Sequence, residues 1–194
     1  MRLPIIATIA VLSLVCGCAT KEELVARSAD VPAGVDLSGQ WRLRVDSQDT
    51  VRRISEAEME AAGGIEGIVL GPERKPKRSR QRSSNGTLVH VFLETGKALK
   101  VTQTEYGLFI SFDRAIVEEY RFGEKRQINV GPVMADRVSG WEGDSYIIET
   151  LDKDGAKLIE TYRLQQEGGS LIRTISIVRK DVNEMEVVQV FDRV

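Results

Sequence analysis

The chain has 194 residues, a length typical of one domain, and its 27 Lys and Arg against 29 Asp and Glu give a formal charge of -2. This balance argues against a domain that binds nucleic acid or an anionic surface with its whole face. The composition, 42% hydrophobic and 29% charged, is that of a globular protein. One histidine and two cysteines, both cysteines within the first 18 residues, exclude a metal site built on several His or Cys ligands and an internal disulfide framework.

The first 17 residues have the pattern of an export signal. Arg2 supplies a positive charge, and residues 3–15 form an apolar run. The length of this run suits a signal peptide and is shorter than the roughly 20 residues of a transmembrane helix. No comparable apolar run follows, so the sequence predicts no other membrane span.

The run ends in Val15-Cys16-Gly17-Cys18, which resembles the lipobox of bacterial lipoproteins. In that motif a branched aliphatic residue stands three positions before the modified cysteine and a small residue stands just before it, so Val15 and Gly17 fit Cys18. The resemblance implies cleavage before Cys18 and acylation of that cysteine. Because Ala19 follows, it also implies sorting to the outer membrane, with the domain on the periplasmic face. The alternative is an ordinary secretory signal with a chance cysteine.

Residues 18–35 predict a lipidated, flexible tether, because they are small, polar and charged and include Pro32 and Gly34. As a random coil such a tether would span roughly 25 Å. The folded domain is then expected over residues 36–194.

The domain opens with a predicted strand. Trp41, Leu43 and Val45 alternate with Arg42 and Arg44, which is the period of a strand with one buried face.

A short helix is predicted over residues 55–62. Ser55 and Glu58 have the spacing of a capping box, in which each side chain bonds the other residue's backbone N–H. Gly63 and Gly64 follow as a helix-ending pair.

Residues 72–86 predict a basic loop. Six cations occur within nine positions, namely Arg74, Lys75, Lys77, Arg78, Arg80 and Arg82. The loop is expected to contact anionic head groups, lipopolysaccharide phosphates or an acidic partner, since each cation near an anionic surface contributes about 1 kcal/mol. The alternative is a solvated loop whose charges maintain solubility.

The rest of the chain predicts a β-rich body. Residues 87–93 fit either a strand or a helix. Strands are then expected at 99–103, 108–112, 116–122, 135–141, 146–151, 157–164, 171–178 and 185–193. This regular spacing with short turns predicts an antiparallel meander that closes into a barrel or a strongly curled sheet, a mainly β fold with one short helix.

Gly39-Gln40-Trp41 at the first strand, followed by about eight antiparallel strands, resembles lipocalin-like domains, which open with a Gly-x-Trp motif. In that family the tryptophan closes the base of the barrel and a late arginine packs across its ring. The resemblance implies this closing role for Gly39, Trp41 and Arg193. It also extends to small bacterial envelope domains, whose function is mostly unassigned.

Several aromatic residues fall on the predicted inner face of the barrel. These are Phe112, Tyr120, Phe122, Tyr146 and Tyr162. They are candidates for lining a ligand cavity, and the alternative is that they fill the core of a small barrel.

The sequence offers no catalytic constellation and no metal-ligand set. His90, the one histidine, is expected to be structural. Glu149 and Glu160 are expected to pair with Lys157 or Arg163 on the outer surface, and convergence of the two carboxylates is the alternative.

These patterns together predict a non-enzymatic lipoprotein that binds a hydrophobic ligand or an envelope component, without cofactor, metal or nucleic acid. Its partners would be the membrane, through the N-terminal lipid, and a small hydrophobic molecule or envelope protein. The alternative is an interaction or envelope-assembly factor that docks through the basic loop.

Overall fold

The computed structural model of the chain describes residues 22–63, 88–114, 116–165, 168–180 and 182–194. The predicted lipidation site and the cations of the basic loop lie outside the described residues: Val15, Gly17, Cys18, Arg74, Lys75, Lys77, Arg78, Arg80 and Arg82.

Ten strands and an α-helix make up the described domain. In chain order they are β1 (Gly39–Leu43), α1 (Gln48–Gly63), β2 (Ala98–Gln103), β3 (Gly107–Phe112), β4 (Val117–Arg121), β5 (Glu124–Val130), β6 (Val133–Glu142), β7 (Ser145–Asp152), β8 (Ala156–Leu164), β9 (Ser170–Arg179) and β10 (Val182–Arg193). A 3-10 turn, Val45–Ser47, precedes α1, and a 3-10 helix, Leu88–Phe92, precedes β2.

The strands form one antiparallel sheet that curls into a nearly closed barrel. Consecutive strands pair with each other, except β4 with β5, and the long connection between β1 and β2 does not interrupt their pairing. The ladder continues because β1 also pairs with β10, with Trp41 opposite Arg193 and Leu43 opposite Phe191. The predicted fold class, a mainly β antiparallel meander closing into a barrel, is confirmed.

The two ends of this ladder are β4 and β5, which follow each other in the chain. They diverge from the turn at residues 122–123, so a seam separates them within the described sheet. The seam is where the barrel wall lacks a continuous backbone hydrogen-bond ladder.

Alternate residues of the strands fill the interior, which contains two apolar clusters. The cluster at the base includes Trp41, Leu99, Phe112, Tyr162 and Phe191. The cluster at the other end includes Ile54, Val89, Phe92, Leu158 and Ile175, so α1 and the 3-10 helix cover that end of the barrel. Full burial of one such aliphatic or aromatic side chain contributes roughly 1.5–3 kcal/mol to the free energy of folding.

The structure brings Gly39, Trp41 and Arg193 together at the base. The Arg193 guanidinium carbon lies 4.1 Å from the centre of the Trp41 ring, and its Nη1 donates to the carbonyl of Ser38 at 2.8 Å. A Cβ at Gly39 would lie 2.8 Å from that Nη1 and 3.1 Å from the indole. A residue without a side chain is therefore needed where the arginine crosses the ring.

Helix α1 begins at Gln48, seven residues before the predicted cap at Ser55. The 3-10 turn after β1 carries the chain straight into the helix, and the hydroxyl of Thr50 donates to the Ser47 carbonyl. Ile54 is fully buried, whereas Ser55 is exposed in the helix interior. The apolar anchor of the helix therefore precedes the capping-box pattern, which does not mark a helix start.

Two further segments complete the barrel. The ambiguous residues 87–93 include the 3-10 helix Leu88–Phe92, and Val89 and Phe92 in this segment are buried against the barrel. Strand β5 was not predicted from the sequence. Apolar and polar residues alternate only weakly along β5, because it is an edge strand whose positions are all exposed or half-buried.

Residues 22–30, here called the strap, lie against the outside of the barrel. Leu24 is only 5% exposed and packs on Val138 and Leu151, which belong to the outer faces of β6 and β7. This packing differs from the flexible tether predicted over 18–35. The reason is that Val138 and Leu151 form an apolar patch, which Leu24 covers.

The strap also completes the edge of β6. Strand β5 begins opposite Ser139, so the last residues of β6 extend beyond it. The backbone N–H of Trp141 donates to the carbonyl of Ser28 at 2.9 Å, in an antiparallel bridge. Arg27 adds ion pairs with Glu142 and, at 3.1 Å, with Glu149.

Gly140→Ala is expected to displace the strap, because a Cβ at Gly140 would lie 2.4 Å from the Ser28 carbonyl oxygen. We expect the Trp141 amide to exchange with solvent about tenfold faster, since its acceptor is lost. Hydrogen–deuterium exchange with mass spectrometry measures this change. Gly169→Ala is the control, because a Cβ there would meet nothing within 4 Å. Equal exchange rates at Trp141 in both variants and the native protein would contradict the assignment.

Candidate functional site

The five aromatic residues proposed to line a cavity lie together in the base cluster. Phe112, Tyr120, Tyr146 and Tyr162 are buried there, and Phe122 packs against them half-buried. Phe122 contacts the rings of Tyr146 and Trp141, with centroids 5.6 and 5.7 Å apart. These rings pack on one another within the core.

Two arginines point into this apolar interior. Arg137 on β6 is 3% exposed and Arg173 on β9 is 0% exposed. Burial of an unpaired charge is very unfavourable, so the partners of each guanidinium decide its role. The two arginines differ in how far their hydrogen bonds are satisfied.

Every guanidinium nitrogen of Arg173 has a partner. Its Nε donates to Glu160 at 3.1 Å, and its Nη2 donates to Glu160 and to the Glu94 carbonyl. Its Nη1 donates to Gln189 at 3.2 Å, and the Gln189 amide in turn donates to Thr50 on α1 at 3.1 Å. This network ties the barrel wall to the helical cover, which is a structural role.

Glu160 also accepts a hydrogen bond from the Tyr162 hydroxyl at 2.9 Å. Burial of the phenol raises the pKa of Tyr162 well above its ordinary value, with a further contribution from the Glu160 charge. The hydroxyl therefore stays protonated and remains a donor.

The surface pairing predicted for Glu149 and Glu160 is wrong. Glu160 faces the interior and pairs with Arg173, whereas Glu149 pairs with Arg27 of the strap on the outer face. The two carboxylates belong to opposite faces of the sheet, so they do not converge either. The inward position of Glu160 follows from its alternation with Leu158 and Tyr162 along β8.

Arg137 has one nitrogen without a partner. Its Nε donates to the Thr150 hydroxyl and its Nη1 to Glu118 on β4, both at 3.0 Å. Its Nη2 is buried and makes no hydrogen bond to any of the described residues. The guanidinium carbon lies 5.3 Å from the Tyr120 ring centre and 5.9 Å from that of Phe92.

This arginine lies in a cleft of about 380 Å³ at the seam, here called the seam cleft. The cleft is lined by residues of β4, β5, β6 and the 3-10 helix: Phe92, Glu118, Glu119, Arg126, Gln127, Ile128, Asn129, Val130 and Arg137. Arg126 crosses the seam and donates to the Glu119 carbonyl at 2.8 Å.

The charges of the seam cleft balance. Arg137 pairs with Glu118 at 3.0 Å, Arg126 with Glu124 at 3.6 Å, and Glu119 with Arg121 at 3.1 Å. The charged side chains of the cleft are therefore paired, and its lining also includes the apolar side chains of Phe92, Ile128 and Val130.

An acidic rim lies beside the cleft. Partial burial raises the pKa of Glu94, and repulsion from Glu118 and Glu160 adds to this shift against the opposing effect of Arg173. Burial, with repulsion from Glu94, likewise raises the pKa of Glu58 on α1. Both carboxylates are therefore less easily ionised in the folded protein than in the unfolded chain.

Glu94→Gln is expected to stabilise the protein near neutral pH. A carboxyl whose folded-state pKa is raised above its ordinary value of 4.5 lowers stability as the pH rises through the folded-state pKa. The variant should therefore melt a few degrees higher than the native protein at about pH 7. At about pH 3, where Glu94 is protonated in both the folded and the unfolded state, the two proteins should melt at the same temperature.

Thermal unfolding followed by circular dichroism at both pH values checks this prediction. Glu105→Gln, at an exposed position, is the control and should change neither temperature. An increase for Glu94→Gln that is equal at both pH values would contradict the electrostatic cause.

Sequence reasoning missed Arg137 and Glu118 as site residues. Arg137 alternates with Ala135, Ser139 and Trp141, so the period of the strand places it on the inner face. The available signal for an inward-facing arginine was its position on the same face of the strand as a buried tryptophan. Its pairing with Glu118 depends on two strands meeting at the seam.

The described ranges contain neither a cluster of metal ligands nor a helix that could cross a membrane. No group of three or more His, Cys, Asp or Glu side chains there is arranged to hold a metal ion. None of the helices in those ranges has the length and apolar character needed to cross a membrane.

Comparisons with known proteins concern the fold. No protein-family model and no curated protein sequence matches the chain. A luciferase domain from the dinoflagellate Lingulodinium polyedrum is similar in structure, with a TM-score of 0.51 and 13% identity over 88% of this chain and 45% of that chain. The lipocalin-like resemblance therefore holds at the level of a barrel fold.

Two smaller barrels are also similar at lower scores. The fatty acid transporter REP1-NXSQ has a TM-score of 0.47 and 12% identity over 82% of this chain and 96% of its own. Fatty-acid-binding protein 1 of Echinococcus granulosus has a TM-score of 0.46 and 12% identity over 81% of this chain and 97% of its own.

Proposed function

We propose that this protein is a non-enzymatic binding protein for a small amphiphile whose polar head accepts a hydrogen bond from Arg137 in the seam cleft. The observation that carries the proposal is the buried, unpartnered Nη2 of Arg137 at that cleft. A buried donor without an acceptor costs about 1–3 kcal/mol, and a ligand oxygen would remove that cost.

The shape of the cleft supports a ligand of this size. Its volume of about 380 Å³ lies within the usual range for small-molecule sites. Phe92, Ile128 and Val130 supply apolar surface for the chain of the amphiphile, next to the guanidinium that would hold its head.

The charge balance selects the type of head group. Glu118 already neutralises Arg137, and Glu94 lies close enough to Glu118 for the two carboxylates to repel each other. A second carboxylate beside Glu118 would be repelled. An uncharged oxygen acceptor such as an alcohol, ester or amide fits the donor without that repulsion, so it is the head group we assign.

Arg137→Met is expected to weaken the binding of decanol about tenfold, because the donor is lost while the apolar walls remain. Isothermal titration calorimetry with the full chain measures the affinity. Arg163→Met, the same change at an exposed position of β8, is the matched control and should leave affinity unchanged. Ile128→Trp, which fills the cleft without touching the arginine, should also weaken binding.

Decanol and decanoate share a chain length and differ in charge, so their comparison tests the head group. Tighter binding of decanoate than of decanol would overturn the uncharged assignment. Native affinity for decanol in both Arg137→Met and Ile128→Trp would show that the seam cleft is not the binding site.

We further propose that the protein is an exported lipoprotein anchored through Cys18 to the periplasmic face of the outer membrane. The support is the run Val15-Cys16-Gly17-Cys18 after an apolar segment. An N-terminus with two or three acyl chains would hold the domain stably at the membrane.

Cys18→Ser is expected to abolish palmitate labelling and to remove the protein from the outer-membrane fraction of fractionated cells. Cys16→Ser is the matched control and should keep both properties, because Cys16 is removed with the signal. Continued labelling of the Cys18→Ser variant would contradict the anchor.

A further inference from the structure

A second cleft of about 380 Å³, here called the outer groove, crosses the outside of β1 to β4. Four of its residues stand in register on adjacent strands: Gln40 is opposite Lys100, Lys100 opposite Ser111, and Ser111 opposite Val117. Directly opposed residues share a face of the sheet, so these side chains form one row across four strands.

Three cations surround this row. Arg42, Lys100 and Arg114 line the groove and are exposed. None of the three forms an ion pair or a side-chain hydrogen bond with the residues that the structure describes. Asp192 on β10 lies opposite Arg42, but Arg44, just after β1, holds it through two hydrogen bonds, and this contact lowers the pKa of Asp192 to about 2.

Asp113, a second carboxylate beside the groove, is also engaged. Asp113 accepts hydrogen bonds from the backbone N–H groups of Lys97 and Ala98, at 3.1 and 2.8 Å. The Asp113 carboxylate is therefore bound to backbone N–H groups at the start of β2, not to the cations of the groove. The cations of the groove remain available to an external anion.

Exposed apolar side chains border the same cations. Val117 in the groove is 63% exposed and Ile116 beside it is 62% exposed. Apolar residues flanked by cations are the combination that enters a lipid–water interface, where the cations contact anionic head groups. A purely acidic surface would match the cations alone, so the two exposed apolar side chains favour a lipid surface.

We propose that the outer groove docks the protein on a surface of anionic lipid head groups. Arg42, Lys100 and Arg114 contact the phosphate oxygens, while Val117 and Ile116 enter the interface. The groove lies on the opposite side of β4 from the seam cleft, yet the proposal does not depend on what the seam cleft binds.

The test compares the partitioning of the full chain onto vesicles of phosphatidylglycerol and phosphatidylcholine in equal parts with its partitioning onto phosphatidylcholine alone. The ratio of the two coefficients cancels the contribution of the N-terminal apolar run. For the triple variant Arg42→Gln, Lys100→Gln and Arg114→Gln we expect this ratio to fall about a hundredfold, because three contacts with anionic head groups are lost.

A matched triple variant changes the net charge equally at other exposed positions: Lys153→Gln, Arg163→Gln and Lys180→Gln. It should keep the native ratio, and equal ratios for the two triple variants would overturn the proposal. Circular dichroism establishes that both variants are folded.

Two further measurements identify the occupant. Val117→Ser should weaken partitioning on both kinds of vesicle, because it removes an apolar contact. Inorganic phosphate at the concentration of the lipid phosphate should not compete, and competition would overturn the lipid surface in favour of a free anion. Decanol binding is measured without vesicles. A negative result for ligand binding in the seam cleft can therefore be told apart from a negative result for lipid binding by the outer groove.

Discussion

The pairing of β1 with β10 is the contact on which the rest of the molecule depends. It joins the first and last strands, so the meander closes on itself and its two edges, β4 and β5, come to face each other across a seam. Trp41 and Arg193 stand opposite each other in this pairing and seal the base. With the base closed and helices over the other end, the seam is the interruption in the described wall, and the candidate ligand site is found there.

The buried arginines show how one interior serves two purposes. Each guanidinium nitrogen of Arg173 has an acceptor, provided by Glu160, Gln189 and a backbone carbonyl. Through these bonds Arg173 links the sheet to the helical cover. Arg137 is paired through two nitrogens and retains a free donor at the seam cleft. Because a buried donor without an acceptor is costly, the same physical rule makes the first arginine structural and the second a candidate for ligand binding.

The outside of the barrel is divided in a comparable way. The strap covers an apolar patch on β6 and β7 and extends the edge of β6 through Ser28. The face of β1 to β4 instead keeps Arg42, Lys100 and Arg114 beside exposed apolar residues. A formal charge of -2 therefore conceals a local concentration of cations, which acts within a distance of about 10 Å under ordinary salt conditions.

The sequence by itself determined the class of fold, because a period of two in the strands and turn residues between them are local properties. It also assigned Trp41 to the inner face, and the same alternation places Arg137 and Arg173 there. Only the tertiary structure decided where the seam lies, why α1 starts at Gln48, and that the strap is docked. It also decided that Arg173 is saturated while Arg137 keeps a free donor. Periodicity specifies the face of a residue, whereas its partners depend on which distant strands meet when the sheet closes.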